Sequence, residues 1–216
     1  MKRIWHYIAV PAVLVLWAAI GIARPNGSPA SRTGAAALGG VAAEASCVNC
    51  HGDFAANSGG SVSLLGVPGL FRGGKTYRLA VHLASTQTAS SSTRNWGFQM
   101  TAVDTATGLG AGTFGVVNAA ETGIINGSGS FSTRRYVNQL SGGVKGGTAS
   151  PVEWLVDWTA PASGVTRVRF FVAGLAGDGD GSELGDWVYT GAAASTDTLT
   201  AAVPRTWGSV KSSYLK

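Results

Sequence analysis

Alternation with a period of two residues, broken again and again by glycine, limits most what this chain can fold into. In Thr76 to Leu83, Tyr77, Leu79, Val81 and Leu83 share one side, with Thr76, Arg78, Ala80 and His82 on the other. Trp96, Phe98, Met100 and Ala102 repeat the pattern, with Gln99 and Thr101 opposite. Val152 to Trp158 and Thr166 to Ala173 read alike, and Trp187 to Thr190 and Thr198 to Val203 add two short candidates. Side chains point alternately to the two faces of a strand, so each run offers one face to a core. Gly73-Gly74, Gly142-Gly143, Gly146-Gly147 and Pro161-Ala162-Ser163-Gly164 punctuate the runs. No window past residue 55 sustains a helical repeat. Short strands between turn signals predict an all-β, antiparallel sandwich. Trp96, Trp154, Trp158 and Trp187 mostly fall where they would pack it.

Composition narrows the function. The chain has 216 residues, enough for one domain with or without a targeting segment. Only 12% of residues are charged, about half the usual share, which excludes a charge-driven disordered chain and a coiled coil. The formal charge is +5, and Lys2 and Arg3 supply two of those charges, leaving +3 without residues 1–23. Arg134-Arg135-Tyr136 is one small basic-aromatic cluster, read as an exposed strand end rather than a nucleic-acid platform. Nucleic acid is not an expected partner.

Lys2 and Arg3 precede twenty residues, Ile4 to Ala23, with no formal charge apart from the titratable His6. Gly21-Ile22-Ala23 places small residues where a signal peptidase cuts, and twenty residues also suffice to span a bilayer. Residues 1–23 are therefore a signal peptide or an uncleaved signal-anchor helix. Both put the rest of the chain outside the cytoplasm, tethered to the cytoplasmic membrane or secreted after cleavage. Residues 24–45 are rich in Pro, Gly, Ser and Ala and read as a flexible tether. The sandwich is expected over 46–203 and a basic tail over 204–216, so any membrane attachment is expected at the N-terminus.

The sharpest chemical word is Cys47-Val48-Asn49-Cys50-His51, which holds both cysteines of the chain. Attachment of a c-type haem needs two thiols spaced for the two vinyl groups and a histidine beside the second thiol, which Cys-x-x-Cys-His supplies. The exported setting suits it. Structural zinc needs four N or S ligands, and only His82 could join the three. A thioredoxin-like redox pair expects a βαβ setting. The alternative to haem is a plain Cys47–Cys50 disulfide. With His51 as proximal ligand of the haem iron, His82 is the candidate distal ligand and Met100 the weaker one, because Met100 is in phase with core positions. With neither, the iron is five-coordinate or takes a ligand from another subunit.

Four blocks in order carry a family resemblance: Arg32-Thr33-Gly34 before the Cys-x-x-Cys-His-Gly; Trp96-Gly97-Phe98-Gln99-Met100-Thr101-Ala102; Trp154 through Asp157-Trp158-Thr159-Ala160-Pro161; and Ala173-Gly174 with Gly177-Asp178-Gly179-Asp180-Gly181-Ser182 and Gly185-Asp186-Trp187-Val188-Tyr189-Thr190. Over about residues 30 to 200 the chain resembles the bacterial Reeler-type domain of exported "choice-of-anchor V" proteins. The resemblance implies an immunoglobulin-like β-sandwich outside the cytoplasmic membrane, often with Cys-x-x-Cys-His near its start. It implies no defined biochemical activity. One departure stands out: Gln139 falls where such proteins often carry a histidine.

Asp178, Asp180, Glu183 and Asp186 crowd one short segment, and oxygen-rich loops of this kind hold calcium. Glu183 and Tyr189 break the EF-hand pattern, so a solvated acidic turn is preferred to a calcium loop through Asp178, Asp180 and Asp186. Catalytic words are missing: there is no Gly-x-Ser-x-Gly elbow, no His-Glu-x-x-His and no phosphate loop. The chain reads as an exported, membrane-associated monohaem c-type protein, an electron carrier or haem-bearing subunit of a larger membrane redox complex, and not as an enzyme. The alternative is a haem-free adhesion or assembly module with a Cys47–Cys50 disulfide.

Overall fold

A computed structural model describes residues 26–87 and 94–198 of the chain. The N-terminal apolar segment, most of the Thr198 to Val203 strand candidate and the basic tail lie outside the described residues. Among the described residues no helix is long and apolar enough to cross a membrane.

The described residues form ten strands: β1 Gly60–Leu65, β2 Leu70–Phe71, β3 Thr76–Ser85, β4 Asn95–Asp104, β5 Thr113–Val116, β6 Thr122–Asn126, β7 Arg135–Gln139, β8 Val152–Thr159, β9 Arg167–Gly177 and β10 Trp187–Asp197. They form two sheets, one ordered β1-β3-β8-β5 and the other β2-β10-β9-β4-β7-β6. All pairings are antiparallel except β2 with β10, which run parallel. The architecture is an immunoglobulin-like β-sandwich with one parallel edge pairing.

The inward faces follow the alternation. Leu79, Val81 and Leu83 of β3 meet Trp96, Phe98 and Met100 of β4, Trp154, Val156 and Trp158 of β8, and Val168, Phe170 and Val172 of β9 in one buried cluster. Trp158 sits among Phe71 and Phe170, with ring centroids 5.8 and 4.8 Å away, and its indole N–H donates to the carbonyl of Ala111 at 3.0 Å. Trp154 and Trp96 likewise donate to the carbonyls of Gly143 (2.7 Å) and Thr148 (3.0 Å). Each indole thus buries a large apolar surface while its single donor stays satisfied.

The second face of the larger sheet differs from expectation. Gln99 and Thr101 are fully buried, because residues 26–46 lie across them. This stretch is no tether within the described residues. Residues 33–46 fold back on themselves, with Gly34 N–H donating to Ala45 O (2.9 Å), Glu44 N–H to Ala35 O (2.8 Å), and Leu38 and Val41 exchanging both bonds. Gly39 and Gly40 take φ of 55° and 81° at the tip, the left-handed pair that a tight hairpin of this hand requires. The tip presses on the β4–β5 connection, where a Cβ on Gly39 would lie 2.1 Å from the backbone of Thr107. Small residues are there for close approach and not for flexibility.

A buried ionic cluster pins this hairpin. Arg134 is 0% exposed; its Nε and Nη2 donate to Gly108 O at 3.0 and 2.8 Å, and its Nη1 donates to Glu44 Oε1. Tyr136 OH also donates to that oxygen at 2.6 Å, and Thr33 Oγ1 donates to Glu44 Oε2 at 2.6 Å. Burial first, and then the bond to Glu44, push the Tyr136 phenol well above its ordinary range. Only Arg135 of the basic pair is exposed, so Arg134 is a structural residue and not part of an exposed strand end.

Candidate functional site

The hairpin delivers the chain to the cysteine motif. Ser46 caps a 3-10 helix at Cys47–Asn49: its Oγ accepts from Val48 N–H, and Asn49 Oδ1 accepts from Ser46 N–H at 3.0 Å. The N–H groups of Cys50 and His51 both donate to Cys47 O, at 3.2 and 2.9 Å. Residues three apart eclipse in such a turn, so Cys47 and Cys50 are brought to one side.

That side borders a cavity of about 540 Å³, within the ~300–1,000 Å³ of small-molecule sites. Cys47, Cys50 and His51 line it together with Trp96, Phe98, Val144 and Leu175. Arg32, just ahead of the hairpin, Gln139 at the end of β7, and Glu183 and Asp186 of the loop before β10 are among its polar and charged groups, with Ser28, Ser46, Asn95 and Ser182 beside them. Gly97 also lines it, and a Cβ there would stand 3.0 Å from Gln139 Nε2. The wall therefore depends on the lack of a side chain at that position.

The two cysteines are free thiols in unequal settings. Cys50 is exposed. Cys47 keeps a little residue surface, but its sulfur is enclosed, and burial pushes the thiol up to about 12, with the nearby Cys50 adding to the rise and its own backbone hydrogen bond opposing it. A raised folded value means that the stability contributed by the protonated thiol is complete below the ordinary range, near pH 8.5, and is lost as pH rises toward 12. Iodoacetamide at about pH 8 is expected to modify Cys50 first in haem-free protein. Peptide mass mapping that finds Cys47 alkylated at the same rate would contradict this enclosure.

His51 is mostly buried, and its Nδ1 lies 2.6 Å from Oδ2 of the buried Asp186. No aligned hydrogen bond joins the two groups, so the pair is a close contact. Asp186 Oδ1 meanwhile accepts from Asp178 N–H at 3.0 Å. Sequence reasoning placed Asp186 in an acidic turn; only the sheet register, which sets Trp187 opposite Ala176, brings it to the motif.

The other expected site residues lie elsewhere. His82 is on the outer face of the four-stranded sheet, with its Nδ1 2.8 Å from Glu153 Oε1. Met100 is 0% exposed in the core between the sheets. Neither lines the cavity with His51, which corrects both distal assignments: one side chain points away from the sandwich and the other is consumed by it. The acidic loop is a run of backbone turns, with Asp180 N–H donating to Asp178 Oδ1 (3.0 Å) and Ser182 N–H to Asp180 Oδ1 (2.7 Å). The bond from the Ser182 backbone holds Asp180 below the usual carboxylate range. Among the described residues no group of three or more His, Cys, Asp or Glu side chains is arranged to hold a metal ion. Asp178, Asp180 and Asp186 each accept a backbone N–H within this turn, from Asp180, Ser182 and Asp178 respectively.

Fold and site together define an all-β sandwich with a Cys-x-x-Cys-His turn at the edge of an apolar cavity. No family model and no curated protein matches the chain. Among solved structures it is similar to the reeler domain of human F-spondin, at 17% identity over 66% of this chain and 93% of that one, with a TM-score of 0.39. It is also similar to a cohesin module of a family 33 glycoside hydrolase from Clostridium perfringens, at 11% identity over 64% and 96%, TM-score 0.41. AggA, the major subunit of aggregative adherence fimbriae type I from Escherichia coli, is a third, at 7% identity over 67% and 98%, TM-score 0.35. The sandwich itself rests on the strand pairing described above.

Proposed function

We propose that the protein is an extracytoplasmic monohaem c-type protein, held at the membrane surface by its N-terminal segment, in which the sandwich carries the haem as an electron-transferring or haem-bearing subunit of a membrane complex. The observation that carries this reading is the meeting of the Cys-x-x-Cys-His turn with an apolar cavity of small-molecule size. The residues present fit the group. Trp96, Phe98, Val144 and Leu175 offer apolar surface to a porphyrin, and Arg32 offers a cation to its carboxylates.

Each residue then has a defined task. The Cys47 and Cys50 thiols would hold the group by two thioether bonds, each S–H adding across a vinyl double bond with nothing leaving. His51 would offer Nε2 to the iron while the Asp186 carboxylate stands beside Nδ1, as carboxylates beside metal-bound imidazoles do. The apolar wall excludes water and lowers the local dielectric, and bound haem supplies a one-electron couple whose potential that wall tunes. A pyridine haemochrome spectrum of protein made in an export-competent host tests the reading. A haem c band supports it, and a colourless product defeats it.

One observation favours a second reading. Leu65, Ala80 and Leu155 are register neighbours across β1, β3 and β8, and Leu65 and Leu155 are exposed. A haem-free assembly module with a Cys47–Cys50 disulfide would present this apolar row to a neighbouring subunit.

A further inference from the structure

We propose that the outer face of the four-stranded sheet binds a second copy of this chain, face to face about a two-fold axis that runs along the strands. This rests on the apolar row of the second reading, makes the neighbouring subunit a second copy, and needs no haem. Alternate residues of β1, β3 and β8 point outward in rows set by the register. Leu65, Ala80 and Leu155 form the middle row, with Leu65 and Leu155 exposed. On one side of it Arg78 pairs with Asp157, and on the other His82 pairs with Glu153. β3 thus carries both basic groups and the small Ala80. β8 carries both acids and the large Leu155.

Such a face complements itself, as a two-fold interface requires. An axis between β3 and β8 sets β3 of each copy over β8 of the other and keeps every row on its own row. Arg78 then faces the second copy's Asp157, His82 faces its Glu153, and each Leu155 fills the space above an Ala80. Arg78 spends two of a guanidinium's five N–H donors on its own Asp157, so it can serve a second carboxylate. An axis across the strands would instead set Arg78 against His82 and Asp157 against Glu153, so charge selects the first arrangement. Stacked sheets cross at about 30°. The flanking rows lie only about 7 Å from the middle one, so that angle offsets facing groups by roughly 3–4 Å, within reach of these side chains. Strand spacing and rise give roughly 500 Å² of face on each copy, near the low end of specific interfaces. The expected complex is therefore a reversible dimer with Kd on the order of 10 μM.

Sedimentation velocity of the full exported chain in mild detergent, over a concentration series spanning that Kd, reads the association. Leu155→Asp is expected to weaken it about a hundredfold, because the lost apolar contact occurs twice across the axis. Leu155 is exposed, so the fold should be unchanged. Arg78→Glu and Asp157→Lys should each be monomeric alone, since like charges then meet at both crossings. Mixed one to one they should form a heterodimer, because each crossing again joins opposite charges. A wild type that stays monomeric through the series overturns the proposal. So does a mixture that stays monomeric, or a Leu155→Asp variant that associates like the wild type. Intact mass of the same samples reports haem or a disulfide separately, which distinguishes failure of the dimer from failure of either functional reading.

Discussion

Replacing Arg134 by methionine is expected to lower the unfolding free energy by about 3–5 kcal/mol, the cost of breaking a buried ion pair from one side. Glu44 would keep only the Tyr136 and Thr33 hydroxyls as donors to a buried carboxylate, and Gly108 O would lose both of its guanidinium donors. The damage should centre on the hairpin, because Glu44 belongs to it and Arg134 to the turn that leads into β7. Adding Glu44→Gln to Arg134→Met should recover much of the loss, since the stranded charge is then gone. Urea unfolding followed by tryptophan fluorescence reads both variants. A single variant within about 1 kcal/mol of the wild type would show that the hairpin is not held in this way. Since Cys47 follows the hairpin directly, Arg134→Met should also lower the fraction of protein that acquires haem.

The double variant Cys47→Ser, Cys50→Ser is expected to lose all covalent haem while keeping the sandwich. Neither sulfur belongs to the core cluster, and among the described residues the Cys47 thiol makes one long hydrogen bond, 3.9 Å to Arg32 O. Its unfolding free energy should therefore stay within about 1 kcal/mol of haem-free wild type. Haem staining on a denaturing gel and urea titration measure the two effects separately. A variant that still stains would place the attachment elsewhere.

The strands that carry bulky residues on alternate positions were legible: Tyr77 to Leu83, Trp96 to Ala102, Val152 to Trp158 and Val168 to Val172 all lie in β3, β4, β8 and β9. β1 (GSVSLL) and β6 (TGIIN) were not, because edge strands of serine, glycine and asparagine bury few side chains and resemble loops. The hairpin escaped notice for a related reason. It and the segment ahead of it are held by backbone bonds and by polar contacts such as Arg32 N–H to Gln99 Oε1 (2.6 Å) and Asn138 Nδ2 to Ser28 O (2.8 Å), which leave no hydrophobic period. Gln99 and Thr101 looked like a solvent face and proved to be the floor beneath it. At the site, the motif was visible as a word, but its surroundings were not. Gln139 and Asp186 reach the cavity through strand register, and no local spacing encodes that. His82 and Met100 were the right residue types in the wrong places, since a ligand inventory ignores which face of which sheet a residue occupies.

Intact mass of the exported protein, measured under denaturing but non-reducing conditions, decides the central claim. A polypeptide heavier by one whole haem, with no hydrogen lost, is the result this account predicts. A bare polypeptide two hydrogens light, its sulfurs joined to each other, contradicts it.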